Sequence, residues 1–275
     1  MTLDLSAIST FVFDLDGVVW RGDSPVPGAS ESLAKLRAAG YRCLFATNNS
    51  SRPPQFYAQK LADMGIEATP DDIVTSASAT AIYLSRHLPT GFSAYIVGEE
   101  GIALALEGIG ARIVRHDDSL SEANERVDCV VAGIDRFFTY EKLKRAQQFL
   151  LGGAKFIATN RDATFPIEGG GVVPGAGSIV AAIATAAGQE PLSMGKPEPG
   201  MLLAILEKYG LEPLQVAMIG DRLDTDIACA HRAGIGAIHV STGVVPTQAA
   251  LEATGELRPH VCFEDLPELC QALPL

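Results

Sequence analysis

The run Phe11-Val12-Phe13 leads directly into Asp14-Leu15-Asp16-Gly17, an apolar strand closed by two carboxylates and a glycine. Strand alternation places Phe11, Phe13 and Leu15 on one face and Val12, Asp14 and Asp16 on the other. At roughly 3.3 Å per residue the two carboxylates stand about 6–7 Å apart, which leaves room for a phosphoryl group and its leaving oxygen. Gly17 lets the backbone turn away at once. The alternative is an aspartate pair that merely caps a strand-to-helix loop. Asp-x-Asp-Gly directly after an apolar strand favours chemistry.

On either side of this motif, strand-like runs alternate with helical ones, which calls for an α/β architecture with parallel sheets. The clearest strands are expected at 11–16, 42–48, 216–220 and 237–242. Tyr57, Leu61 and Met64 fall at i, i+4 and i+7, as do Leu202, Leu206 and Tyr209, so each segment presents one apolar stripe to a sheet. Gly40, Gly65, Gly210 and Gly234 stand where helices end. A βαβ crossover takes about 30 residues, yet about 150 separate Thr47 from the Gly195-Lys196-Pro197 turn. That gap holds a domain of its own, with strands expected at 94–98, 112–115, 129–134 and 155–160 and a helix over 140–151. The expected division is a core of 1–77 and 179–275 and an insert of 78–178, with hinges near 75–78 and at Pro174-Gly175-Ala176-Gly177. Phe45-Ala46-Thr47-Asn48 and Ile157-Ala158-Thr159-Asn160 are locally alike, but two occurrences do not make a repeat protein.

The 275 residues give a prior of about two domains. With 47% hydrophobic and 20% charged residues and a mean hydropathy of +0.19, the chain falls outside the disordered class. No apolar run reaches the roughly 18 residues of a membrane span. The first ten residues carry Asp4 and no basic residue, unlike a secretory signal, so a cytoplasmic location is expected. A net charge of −12 repels phosphate backbones, which argues against nucleic acid as a partner. A small anionic substrate remains compatible where a metal or a lysine reverses the local sign. The five cysteines are odd in number and never in a C-x-x-C pair, so they read as buried thiols.

Further polar clusters close other strands. Asp221 follows the strand expected at 216–220, at the end where open α/β sheets bind ligands. With Asp14 it supplies the hard oxygen ligands that Mg²⁺ prefers, and no histidine or cysteine lies in these motifs to favour zinc. Asp224 reads as helix capping. Thr47-Asn48-Asn49-Ser50 offers hydroxyl, amide and backbone donors suited to phosphate oxygens, although Asn-rich turns are also ordinary loop chemistry. Lys196, fixed in a Gly-Lys-Pro turn after the apolar run at 192–194, is either a phosphate ligand or a solvated surface lysine.

Taken together these motifs resemble the haloacid dehalogenase-like hydrolase superfamily. The likeness is to its subfamily IIA, which includes 4-nitrophenyl phosphatase-like, phosphoglycolate, pyridoxal phosphate and nucleotide phosphatases. The resemblance runs through Asp14-Leu15-Asp16-Gly17, Pro27-Gly28-Ala29, Thr47-Asn48-Asn49, Thr159-Asn160-Arg161-Asp162-Ala163-Thr164-Phe165-Pro166, Gly195-Lys196-Pro197 and Gly220-Asp221-Arg222-Leu223-Asp224-Thr225-Asp226-Ile227. Val18 departs from it, since many relatives carry threonine there. The resemblance implies a Rossmann-like parallel-sheet core with an inserted α/β cap of the C2 type. It also implies Mg²⁺-dependent hydrolysis of a small phosphorylated metabolite.

In this reading Asp14 is the nucleophile that forms an aspartyl-phosphate, and Asp16 is the general acid and base. Mg²⁺ is held by the Asp14 carboxylate, the Asp16 backbone carbonyl and Asp221. Asp226 orients Lys196 or a metal-bound water. Thr47, Asn48, Asn49 and Lys196 bind the phosphoryl oxygens. The insert sets substrate choice, with Arg136 or Phe137 contacting the leaving group; the alternative is that Phe137 and Phe138 are core. Relatives also imply a homodimer. A phosphomutase or phosphotransferase with the same intermediate, and a phospho-accepting signalling module, are the competing readings. No cysteine is followed six positions later by arginine, there is no Walker A lysine, and His87, His116, His231, His239 and His260 lie outside the motifs.

Overall fold

The computed structural model describes residues 3–115, 126–166 and 171–274, so His116 lies outside the described residues. The chain forms two compact units, one of 1–47, 54–74 and 196–275 and the other of 48–53 and 75–195.

The first unit is built on a sheet that, among the described residues, has six strands. Their order is Val261–Phe263, Gly236–Val240, Val216–Gly220, Thr10–Phe13, Arg42–Thr47 and Ile73–Thr75. Thr10–Phe13 lies in the middle, paired in parallel with Val216–Gly220 on one side and Arg42–Thr47 on the other. A strand covered on both faces has no polar side, which is why Thr10-Phe11-Val12-Phe13 is buried throughout. Phe11, Phe13 and Leu15 join one core cluster with Phe45 and Leu33, as the alternation requires. The Phe13 and Phe45 rings sit 5.9 Å apart. Each such fully buried side chain contributes about 1.5–3 kcal/mol through burial. Tyr57 and Leu61 of the helix Pro54–Asp63 pack into the same cluster, and Met64 lies against it.

The strand expected at 11–16 stops at Phe13. Gly17 takes a φ of 89°, in the left-handed region. Its N–H donates to the Trp20 carbonyl at 2.7 Å, which closes a turn over Gly17–Trp20 immediately after Asp14-Leu15-Asp16. Gly40, Gly65, Gly210 and Gly234 all have positive φ, in the helix-ending role expected of them.

The second unit carries its own parallel sheet, ordered Leu192–Ser193, Lys155–Ala158, Cys129–Ala132, Ser93–Val97 and Arg112–Val114. The helix over Tyr140–Leu151 has the expected bounds. Val130 and Ala132 face one cluster, Cys129 and Val131 the other, so both faces of the sheet are covered.

The division differs from the expected boundaries at 77/78 and 178/179: the second unit takes 48–53, resumes at 75 and runs past 178. Ile179, Val180 and Ile183 of the helix Ala176–Ala187 pack against the second unit's sheet, and Leu192-Ser193 pairs with Ile157-Ala158. The chain therefore leaves that unit only after Gly195. The hinge expected at Gly175 and Gly177 is likewise not one. A Cβ on Gly175 would lie 2.3 Å from the Asp162 carbonyl oxygen, and one on Gly177 would lie 2.3 Å from that of Arg161. These glycines exist for close backbone packing. Gly177→Ala is therefore expected to cost about 1–3 kcal/mol, read as a lower midpoint in urea melts; a hinge glycine would leave the midpoint unchanged.

Candidate active site

Lys196 is the residue around which the carboxyl ends of the core strands are organised. Its Nζ lies 2.6 Å from Asp14 Oδ1, 2.7 Å from Asp226 Oδ1 and 3.3 Å from the Ala46 carbonyl, and the side chain is only 3% exposed. A buried ammonium needs such partners, because an unpaired charge in a desolvated pocket is costly. Burial works against the charge, but Asp14 and Asp226 outweigh it and hold the lysine above its ordinary range.

Asp14 follows the central strand, and its N–H donates to the Ile219 carbonyl at 2.9 Å. Asp221 follows Gly220 on the neighbouring strand. Asp226 arrives on a π-helical turn, Leu223–Ile227, of the kind that recurs at functional sites. Gly220 makes room for it, since a Cβ there would come within 2.1 Å of the Asp226 Cβ. Asp226 Oδ2 accepts from the Arg222 N–H at 3.2 Å, so both its oxygens are engaged.

Carboxylate oxygens of Asp14, Asp221 and Asp226 lie within 4.8 Å of one another. With all three ionised, the carboxylates against one ammonium would leave −3 + 1 = −2, the charge that one divalent cation balances. Asp221 Oδ2 accepts from the Val244 N–H at 2.7 Å, while its buried Oδ1 has no hydrogen-bond partner. A buried carboxylate oxygen in that state fits a cation ligand. Burial, with Asp226 beside it, pushes the Asp221 carboxyl up to about 6. Burial also raises Asp14 well above the carboxylate range, although Lys196 opposes it.

Asp16 stands apart from this cluster. The residue keeps exposed surface, and its Oδ1 accepts from the Trp20 indole N–H at 2.9 Å. Crowding of the carboxyl raises its pKa, and the indole N–H offsets part of that rise. A carboxyl that holds its proton more readily than usual is suited to act as an acid.

The structure brings together Asp14, Asp221, Asp226 and Lys196, and it leaves Thr47 buried at the end of Arg42–Thr47, the strand next to Asp14's. Asn48 and Asn49 belong to the second unit. There the Asn48 amide donates to Asp162 Oδ2 at 2.9 Å, where Asn160 also donates at 2.8 Å. Asn49 Oδ1 accepts from the Ser51 N–H and hydroxyl. Arg136 Nη1 binds both oxygens of Glu99, at 2.9 and 2.7 Å, while Phe137 is 77% exposed and Phe138 packs against the second unit's core. Asp224 is a surface partner of Arg222.

Two groups were missed in the sequence. Trp20 is the only tryptophan and sits one turn beyond Asp16, and Thr242-Gly243-Val244 closes the strand Gly236–Val240. The rule that ligands gather at carboxyl ends of parallel strands applies to that strand as well.

Residues 11–112 match the family model described as haloacid dehalogenase-like hydrolase, and 193–269 match a second described as HAD-hydrolase-like. The chain is 38% identical over 258 residues to an acid sugar phosphatase of Staphylococcus aureus, covering 94% of this chain and 95% of that one. A 4-nitrophenylphosphatase from Thermotoga maritima is 35% identical, with a TM-score of 0.87 and coverage of 97% and 98%. A glycerol phosphate phosphatase from Mycobacterium tuberculosis, solved with magnesium, is 36% identical, with a TM-score of 0.86 and coverage of 97% of this chain and 78% of that one. The chain belongs to the haloacid dehalogenase-like hydrolases and is a phosphatase of the 4-nitrophenyl phosphatase-like subfamily.

Proposed function

We propose that the protein is a Mg²⁺-dependent phosphomonoesterase that hydrolyses a small phosphorylated metabolite through an aspartyl-phosphate at Asp14. The observation that carries this reading is the charge deficit around Lys196 together with the unpartnered Asp221 Oδ1. An all-oxygen donor set suits Mg²⁺, and the named relatives act on small phosphate esters. Asp14 and Asp221 would hold the ion with their carboxylates, the Asp16 carbonyl would complete the protein's share, and Asp226, engaged with Lys196 and Arg222, would position them. When bound, the ion neutralises charge on the phosphoryl oxygens and so removes the repulsion between two anions.

The Asp14 carboxylate oxygen attacks phosphorus as the bond to the leaving oxygen breaks. Asp16 gives its proton to that oxygen, and the alcohol departs. Asp16 then takes a proton from water, whose oxygen attacks phosphorus, releasing inorganic phosphate and restoring the Asp14 carboxylate. Lys196 and the Thr47 hydroxyl bind the equatorial oxygens where charge gathers. The Asn48 amide donates to Asp162 and Asn49 Oδ1 accepts from Ser51, contacts that order the loop following Thr47.

The second unit is the cap that selects the leaving group. Arg136, clamped by Glu99, holds the loop, and Phe137 supplies the contact surface.

Asp14→Asn is expected to lower turnover of 4-nitrophenyl phosphate by more than about 10³-fold. Its melting temperature in EDTA should be no lower than wild type, because one of three mutually repelling carboxylates is gone. Near-normal turnover would refute the nucleophile. The raised Asp221 carboxyl sets a pH dependence. Its folded pKa of about 6 exceeds the ordinary 3.8, so its stabilising contribution is full below about pH 4 and lost as pH rises through 6. Protons compete with the cation in the same window. The gap in melting temperature between Mg²⁺ and EDTA should therefore widen from about pH 5 to about pH 7.5; a constant gap would contradict the site. Phe137→Ala is expected to reorder kcat/KM across a panel of sugar phosphates, glycerol phosphate and 4-nitrophenyl phosphate, whereas a uniform change would remove Phe137 from substrate contact.

A further inference from the structure

The segment Ser241-Thr242-Gly243-Val244-Val245 closes the strand Gly236–Val240, and no role above uses it beyond one N–H. Within the first unit it is tied to both acidic motifs. The Val244 N–H donates to Asp221 Oδ2 at 2.7 Å, and the Val245 N–H donates to the Asp221 carbonyl at 3.3 Å. The Thr242 hydroxyl donates to the Gly17 carbonyl at 2.7 Å, and the Arg21 guanidinium donates to the Thr242 carbonyl. One loop thus grips the Asp-x-Asp-Gly turn with one residue and Asp221 with another.

Gly243 lies between those two grips. A Cβ built on it would fall 1.9 Å from Asp221 Oδ2, 2.3 Å from Cγ and 2.5 Å from Cβ. Gly17 approaches the same carboxylate, with its Cβ position 2.6 Å from Oδ2. The Asp221 side chain is therefore held in one orientation, with Oδ2 spent on Val244 and Oδ1 buried without a partner.

We propose that loop 241–245 is the positioning element of the cation site, in which Thr242 and Gly243 fix Asp221 Oδ1 relative to the Asp14-to-Gly17 turn and thereby set metal affinity. This rests on the metal-dependent reading above. Gly243 has no positive φ, so alanine fits the backbone and only the new methyl acts. Rotating the carboxylate does not relieve the collision, because it extends to the Asp221 Cβ.

The test is calorimetric titration of metal-free, full-length protein with MgCl₂, for wild type, Gly243→Ala and Thr242→Val, alongside far-UV circular dichroism. Gly243→Ala is expected to bind Mg²⁺ about 10- to 100-fold more weakly with its circular dichroism unchanged. Thr242→Val, which loses only the hydroxyl, should weaken binding about 2- to 10-fold. Wild-type affinity in a folded Gly243→Ala overturns the inference. Should that variant fail to fold, wild-type affinity in Thr242→Val overturns it. A wild-type protein that binds no Mg²⁺ overturns the metal-dependent reading itself, a result distinguishable from the other two.

Discussion

A single buried ammonium, Lys196, held between the carboxylates of Asp14 and Asp226, ties the two strand ends of the site together. The ion pair spans 182 residues of sequence on one side and 30 on the other. Taking one partner away from a buried pair of this kind costs about 3–5 kcal/mol, because the charge left behind stays desolvated. Here the charge left behind would be three neighbouring carboxylates. Lys196 makes a dense acidic cluster tolerable, yet with all three carboxylates ionised it leaves that cluster two charges short of neutral.

That deficit explains the construction around it. Gly220 is small so that Asp226 can approach, the π-helical turn aims Asp226 at Lys196, and Gly17 and Gly243 crowd Asp221 into one orientation. The backbone, more than the side chains, does the positioning. Every element involved ends at the carboxyl side of a parallel sheet, where strand ends and loop N–H groups meet. The similarity to phosphatases of known structure gives this arrangement a functional context, and the charge arithmetic gives it a physical one.

Much of this was legible in the sequence because it depends on local pattern. Phe11-Val12-Phe13 reads as a buried strand by composition, and Asp14, Asp16 and Asp221 read as strand-end carboxylates by position. The helix Tyr140–Leu151 and the helix-ending glycines are placed by local sequence alone, and the structure has them there. What stayed hidden depends on packing between distant segments. The boundary at Gly195 is set by the pairing of Leu192-Ser193 with Ile157-Ala158, which no local window contains. Gly175 and Gly177 look like a hinge in one dimension and turn out to be contact points against Asp162 and Arg161. The Asn48 amide donates to Asp162, 114 residues away, a contact that no local window contains. The likeness of the two Ala-Thr-Asn sequences has a spatial sense as well, since Asn48 and Asn160 both donate to Asp162. The Trp20 indole on Asp16 and the loop after Val240 were missed because isolated residues carry no periodic signal.

The central claim is that Asp14 is where the phosphoryl group lands. The most direct measurement is to quench the enzyme in acid during turnover of a phosphate ester, reduce any acyl phosphate with borohydride and map the modified peptide by mass spectrometry. The account predicts conversion of residue 14 to homoserine, dependent on both substrate and Mg²⁺. Sustained turnover with residue 14 unmodified and another side chain carrying the label would contradict it.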